Sequence, residues 1–188
     1  MPREPKETTG LRVELGFPDH RWPGIEYLWN HREGVQGSAN SNRAEVTIMK
    51  ISARNVLPGT VSGITKGAVN AEIVLTLHGG ETIVAIITNS SVDRLGLQKG
   101  AAAFAIVKAS DVMVGKGLER AKLSARNILA GKLAELNDGA VNSEVGIRLP
   151  GGTVLVASIT KESAQTLDLK RDDQVSAIVK ASHVMVGV

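Results

Sequence analysis

Lys50-Ile51-Ser52-Ala53-Arg54-Asn55 returns 72 positions later as Lys122-Leu123-Ser124-Ala125-Arg126-Asn127. The same offset carries Gly67-Ala68-Val69-Asn70 to Gly139-Ala140-Val141-Asn142 and Gly79-Gly80 to Gly151-Gly152. It also carries Ile106-Val107-Lys108-Ala109-Ser110 to Ile178-Val179-Lys180-Ala181-Ser182. The alignment needs no gap and roughly half its positions are identical, which marks a tandem duplication. The fold must therefore close on itself within about 70 residues and occur twice. The copies span residues 49–115 and 121–188, and the link 116–120 is short enough to hold them side by side.

Each copy reads as strands. Val69 to Leu77 and Thr82 to Ile87 are rich in β-branched residues and flank His78-Gly79-Gly80-Glu81, a hairpin signal that Pro150-Gly151-Gly152-Thr153 repeats. A further strand runs from Ala103 to Lys108. Between them, Ser90 and Ser91 precede Val92, Leu95 and Leu97, which predicts one short helix with a hydroxyl cap. The resulting class is all-β with one short helix per copy: two tandem five-stranded barrels of the OB type. Aromatics make up only 3% of the chain, so the core must be aliphatic, and a domain this small has a marginal one. Oligomerisation is the expected remedy.

Composition changes sharply before the repeat. Four of the five aromatics, Phe17, Trp22, Tyr27 and Trp29, precede Met49, along with Pro2, Pro5, Pro18 and Pro23. Residues 1–48 show no sustained periodicity and read as an irregular extension, either a leader or upstream read-through ahead of Met49, or a docking segment anchored by Trp22 and Trp29. Residues 49–188 hold 16 basic and 12 acidic residues, so the repeated part carries the positive balance. The charged opening has no apolar stretch behind it, which argues against a secretory signal, and no apolar run approaches the roughly 20 residues of a membrane span. With no Cys, disulfides, thiolate zinc sites and a Cys nucleophile are excluded. The expectation is a cytoplasmic protein with no membrane association.

Polar residues shared by both copies include Lys50, Ser52, Arg54, Asn55, Asn70, Glu72, Thr88, Ser91, Lys108 and Ser110. Most are hydrogen-bond donors. Only one acid is shared, Glu72 with Glu144, and His78 aligns with Pro150 while Asp111 aligns with His183. No repeated metal-ligand cluster, carboxylate pair or Ser-His-Asp set exists, so the chain is not expected to be an enzyme. Ser hydroxyls, an Arg fork and a Lys ammonium are what a tetrahedral dianion needs. In an extended Ser-Ala-Arg segment, Ser52 and Arg54 point to one side. The plainer alternative is a turn with a surface ion pair for Ser52, Arg54 and Asn55, a snorkelling strand end for Lys108 and a cap for Ser110. Faithful repetition of both motifs favours the anion site.

The stretch Met49 to Gly59, followed by Gly67-Ala68-Val69-Asn70-Ala71-Glu72, Ile87-Thr88-x-x-Ser91 and Val107-Lys108-Ala109-Ser110-x-Val112-Met113-Val114-Gly115, resembles the molbindin family and its Mop domain. Both copies match over nearly their whole length, as in the two-domain molbindins and the C-terminal half of molybdate-dependent transcription regulators. The resemblance implies an OB-like barrel, a homotrimer of two-domain chains, and binding of molybdate, or tungstate as a mimic, between subunits. It implies ligands at Ser52, Ala53 and Arg54 and at Ser124, Ala125 and Arg126. Facing them would be Thr88, Ser91, Lys108, Ala109 and Ser110, or Thr160, Ser163, Lys180, Ala181 and Ser182. A second class of site near the threefold axis would use Val69-Asn70 and Val141-Asn142. The second copy departs from the pattern at Lys161-Glu162, which replace Asn89-Ser90, and a carboxylate aimed at the ion would weaken that site.

The expected function is therefore molybdate storage and homeostasis by equilibrium binding. Two other classes compete. An OB-fold nucleic-acid-binding module would suit the basic balance, but Phe104 is the one ring in residues 49–188 and single-strand binders stack several bases on rings. A molybdate sensor acting on a protein partner is the other, since residues 1–48 are too short and irregular for a winged helix-turn-helix domain. No phosphate-loop motif is present.

Overall fold

The structure, a computed structural model, describes residues 51–118 and 121–188. The readings made for residues 1–48, for Met49 and Lys50 and for Glu119-Arg120 lie outside the described residues. In the first copy the elements are β1 (Asn55–Lys66), β2 (Asn70–Leu77), β3 (Thr82–Thr88), α1 (Asn89–Arg94), β4 (Ala102–Val107) and β5 (Met113–Gly115). The second copy repeats them as β6 (Asn127–Asp138), β7 (Asn142–Arg148), β8 (Val154–Thr160), α2 (Lys161–Thr166), β9 (Gln174–Val179) and β10 (Met185–Gly187). A 3₁₀ turn, Ala109–Asp111 or Ala181–His183, precedes the last strand of each copy. The described chain is mainly β with short helices, as the sequence predicts.

Alternation sets the faces. In β2, Ala71, Ile73, Leu75 and Leu77 point inward while the residues between them are half-buried, the period of a sheet with one buried face. Pro58 sits inside β1 opposite Phe104, one residue before β1 begins to pair with β2 at Gly59, so its missing N–H interrupts no ladder on that side. A bulge at Ser62 bends β1, and the second copy bulges at Ala134 in β6. The β2–β3 hairpin closes with Gly80 at φ 90°, and its counterpart with Gly152 at φ 89°, a region that favours glycine.

The fifth strand of each sheet is exchanged. The sheets run β10-β4-β1-β2-β3 and β5-β9-β6-β7-β8, all antiparallel. Met185, Val186 and Gly187 pair with Ile106, Ala105 and Phe104 of the first copy, while Met113, Val114 and Gly115 pair with Ile178, Ala177 and Ser176 of the second. The sequence places the copies side by side; the structure instead ties them together, and one buried cluster runs through both. After β5, Lys116 crosses to the second copy, where its Nζ lies 2.8 Å from Asp173 Oδ2 and donates to Asp168 O at 3.0 Å.

The hairpin turns of the two copies also touch, and a Cβ added to Gly79 would lie 2.8 Å from Gly151 Cα. A Cβ at Gly151 would overlap Gly79 in the same way. Gly151→Ala should therefore cost about 1–3 kcal/mol, the usual range for overpacking, read by denaturant unfolding. The Lys116 ammonium, and then the Lys170 N–H, hold the Asp173 carboxyl below its ordinary value of 3.8. A lowered folded-state pKa adds stability above the unfolded value and loses it as pH falls through the folded one. Asp173→Asn should thus lower the melting temperature at neutral pH, and the gap to the parent should close as the solution is acidified below about 3.8.

Candidate functional site

The β1–β4 ladder ends at Asn55 opposite Val107. Arg54 and Lys108 are the next residues beyond that end, so Ser52-Ala53-Arg54 and Lys108-Ala109-Ser110 of one copy emerge together. The β6–β9 ladder ends at Asn127 opposite Val179 and does the same for Ser124-Ala125-Arg126 and Lys180-Ala181-Ser182. Ser52, Arg54, Lys108, Ser110 and their counterparts are exposed, Ala53, Ala109 and Ala125 are half-buried, and Ala181 is buried. Main chain at the small alanines leaves room for close approach by an ion.

Each cluster abuts the edge strand of the other copy. The Asn55 amide donates from Nδ2 to Val156 O at 2.9 Å and accepts at Oδ1 from Val156 N at 2.7 Å. Asn127 makes the same pair with Val84, at 2.9 Å and 2.7 Å. An Asn side chain thereby stands in for a peptide group and closes the exposed edge of β8 or β3. The turn Ala109–Asp111 packs on β8, and Ala181–His183 on β3. Asn55 and Asn127, 1% and 2% exposed, are structural members of the Ser-Ala-Arg-Asn motif, and their repetition at the same offset is the signal that marks them.

Charges are divided between the motifs. Arg54 forms an ion pair with Glu144 of the second copy at 2.8 Å, and Arg126 with Glu72 of the first at 2.8 Å. Among the described residues, no carboxylate pairs with Lys108 or Lys180. The plainer reading of Arg54 as part of an ion pair thus has a basis, but the pair joins the two copies. Arg126 and Asn127 also line a cleft of about 440 Å³ with Gly80, Glu81, Thr82 and Pro150.

Thr88 is the last residue of β3, opposite Asn70, and Ser91 follows it in α1. The hydroxyl cap expected near Ser90 and Ser91 is supplied by Thr88: its Oγ1 accepts from Ser91 N at 3.2 Å and lies 3.0 Å and 2.9 Å from the Ser90 and Ser91 hydroxyls. Thr160 caps α2 in the same way, 2.7 Å from Ser163 Oγ, with Glu162 in the first turn where the other copy has Ser90. The strand that Asn55 clamps, β8, runs on from Val156 to Thr160, and β3 runs from Val84 to Thr88. Val69 and Val141 are 70% and 74% exposed on turns whose carbonyls accept from Asn89 N and Lys161 N, with Asn70 and Asn142 beside them. Among the described residues, no group of three or more His, Asp or Glu is placed to hold a metal cation. Among the described residues, no helix is long and apolar enough to cross a membrane.

This fold, doubled in one chain with paired basic and hydroxyl motifs, places the protein in a known class. The chain belongs to the TOBE domain family, which it matches at residues 51–114 and again at 123–186. It is 41% identical over 140 residues to the molybdenum-pterin-binding protein MopA of Rhodobacter capsulatus, covering 74% of this chain and 53% of MopA. It is 52% identical over 66 residues to molybdenum-pterin-binding protein 2 of Clostridium pasteurianum, covering 35% of this chain and 97% of that one. A crystal structure of the cytoplasmic molybdate-binding protein ModG with molybdate bound superimposes with a TM-score of 0.72 at 46% identity, covering 74% of this chain and 99% of ModG. The chain spans about half the length of MopA and of the ModE proteins it matches.

The Asn clamp is testable without any ligand. Asn55→Ala leaves the Val156 N–H and carbonyl without their partner, a loss of about 1–3 kcal/mol for buried groups. Asn127→Ala should cost a similar amount, and denaturant midpoints report both.

Proposed function

We propose that this chain binds molybdate, with tungstate as a mimic, in the cytoplasm, serving storage and homeostasis by equilibrium binding without turnover. The observation that carries the reading is the emergence of Arg54 with Lys108, and of Arg126 with Lys180, from the same sheet end in both copies, flanked by Ser52, Ser110, Ser124 and Ser182. The near-complete coverage of ModG, whose structure holds molybdate, supports the choice of ion. The domains run 49–115 and 121–188 with 116–120 as the link. Ser and Thr donate hydrogen bonds to the dianion without adding charge, and the lysine at each site offsets part of its negative charge. Fixed donors spaced for the larger ion disfavour sulfate.

The active form in this proposal is a homotrimer with sites between subunits, in which Thr88 and Ser91, or Thr160 and Ser163, complete the donor set of a neighbour. An apolar row supports further association. Met185, Ile106 and Val56 are directly opposed across three strands and share one face; Val56 and Met185 are 37% and 42% exposed. Met113, Ile178 and Ile128 form the matching row on the other sheet, with Met113 48% and Ile128 43% exposed. Val69-Asn70 and Val141-Asn142 are the proposed second class of site.

Calorimetry with molybdate and sulfate, with molybdenum analysis of the isolated protein, tests the reading. Molybdate should bind more tightly than sulfate, and Arg54→Ala/Arg126→Ala should weaken it by roughly ten- to a hundredfold, the value of charge-assisted hydrogen bonds. Absence of molybdate binding, or equal affinity for sulfate, would sink the proposal.

A further inference from the structure

Glu72 and Glu144 are the one acid kept at the same position in both copies, and an anion site gives a carboxylate no direct use. A carboxylate in contact with an oxyanion repels it. Each is nevertheless set against the arginine of the other copy in a two-point fork. Arg54 Nη2 lies 2.8 Å from Glu144 Oε1 and Nη1 donates to Oε2 at 3.3 Å. Arg126 Nη1 lies 2.8 Å from Glu72 Oε2 and Nη2 donates to Oε1 at 3.1 Å.

The two partners differ in rigidity. Glu72 belongs to β2, a strand paired on both sides, opposite Thr65 and Ile86; Glu144 belongs to β7, opposite Asn137 and Ser158. Arg54 and Arg126 precede their strands, on main chain outside any ladder. Exposure runs the same way, with the arginine side chains 54% and 57% exposed and Glu144 and Glu72 34% and 29%. The carboxylate is the fixed member, and the planar guanidinium takes its orientation from it. Two of five N–H donors are used, which leaves three to face a ligand.

We infer that Glu72 and Glu144 are positioning residues for the anion sites: each orients the arginine of the other copy and cancels its charge, so every site is built by both copies and recognises its ion by donor geometry. This rests on the oxyanion reading. The uncompensated charge toward the ion then comes from Lys108 and Lys180. A dianion is selected by where three guanidinium N–H groups point, and freeing the arginine blurs that selection while leaving its attraction for any anion. Orientation and charge make opposite forecasts here. Deleting a nearby negative charge favours anions in general, whereas deleting an orienting partner weakens binding of the ion the geometry fits.

The test is calorimetry with sodium molybdate and sodium sulfate on the full chain, comparing the parent with Glu72→Gln/Glu144→Gln and with Glu72→Asp/Glu144→Asp, alongside ligand-free melting temperatures. Loss of an orienting partner of this kind weakens binding by about tenfold or more, and that loss is expected for molybdate in both variants. Sulfate affinity should hold or rise, so selectivity narrows, and ligand-free melting should change little because part-exposed pairs contribute little stability. Molybdate binding that is unchanged or tighter in the Gln variant would overturn the inference, showing the carboxylates to be bystanders or competitors. A drop in molybdate affinity matched by equal loss for sulfate and by a large drop in melting temperature would also overturn it, as a purely structural effect. A parent protein that binds no molybdate would overturn the oxyanion reading itself, a result separate from any difference between variants.

Discussion

Neither half of this protein finishes its own sheet. A sheet edge presents unpaired N–H and C=O groups that must find partners, and β4 and β9 each obtain them from three residues of the other copy. A domain of this size buries too little surface to be comfortably stable alone, so the exchange turns two marginal cores into one continuous cluster. The rest of the arrangement follows. The 3₁₀ turns are carried across to β8 and β3, the Asn55 and Asn127 amides close those edges, and Lys116 fastens the crossing chain at Asp173.

The same constraint shapes the candidate sites. Because the copies interlock reciprocally, each contact has a twin: Arg54 with Glu144 and Arg126 with Glu72, Asn55 with Val156 and Asn127 with Val84, Gly79 with Gly151. Residues that align in the repeat can become neighbours in space. Asp111 and His183 occupy one aligned position, and the His183 ring nitrogen lies 3.6 Å from the Asp111 carboxylate. The duplicated chain is free to place different residues at twin positions, and it does so here and at Ser90 against Glu162. The two candidate anion sites are therefore chemically distinct despite a shared scaffold.

Much of this is legible in the sequence. The offset of 72, the β2–β3 hairpin with its Gly-Gly turn, and the short helix after a hydroxyl cap all appear at or near their expected places. Capping by Thr88, ahead of Ser90 and Ser91, reflects chain direction: the residue that leaves the strand with extended backbone, φ −70° and ψ 151°, is the one whose hydroxyl faces the free N–H groups. The strand Met113–Gly115 and its twin have too few residues to show a period. Glu72 and Glu144 were recognisable as shared, but their partners lie 54 and 90 positions away, beyond any local pattern.

The sequence by itself determined that the chain is a duplicated, aliphatic β fold whose repeated polar residues are mostly donors, because periodicity, turn chemistry and side-chain type are local properties. Only the tertiary structure decided which copy each terminal strand completes. Met113-Val114-Gly115 and Met185-Val186-Gly187 are the same tripeptide, and β4 and β9 offer them nearly the same ladder, so pairing at home and pairing away look alike in the letters. Chain reach, edge satisfaction and burial of a common core break that tie, and with it they decide that Arg54 answers to Glu144 and Arg126 to Glu72.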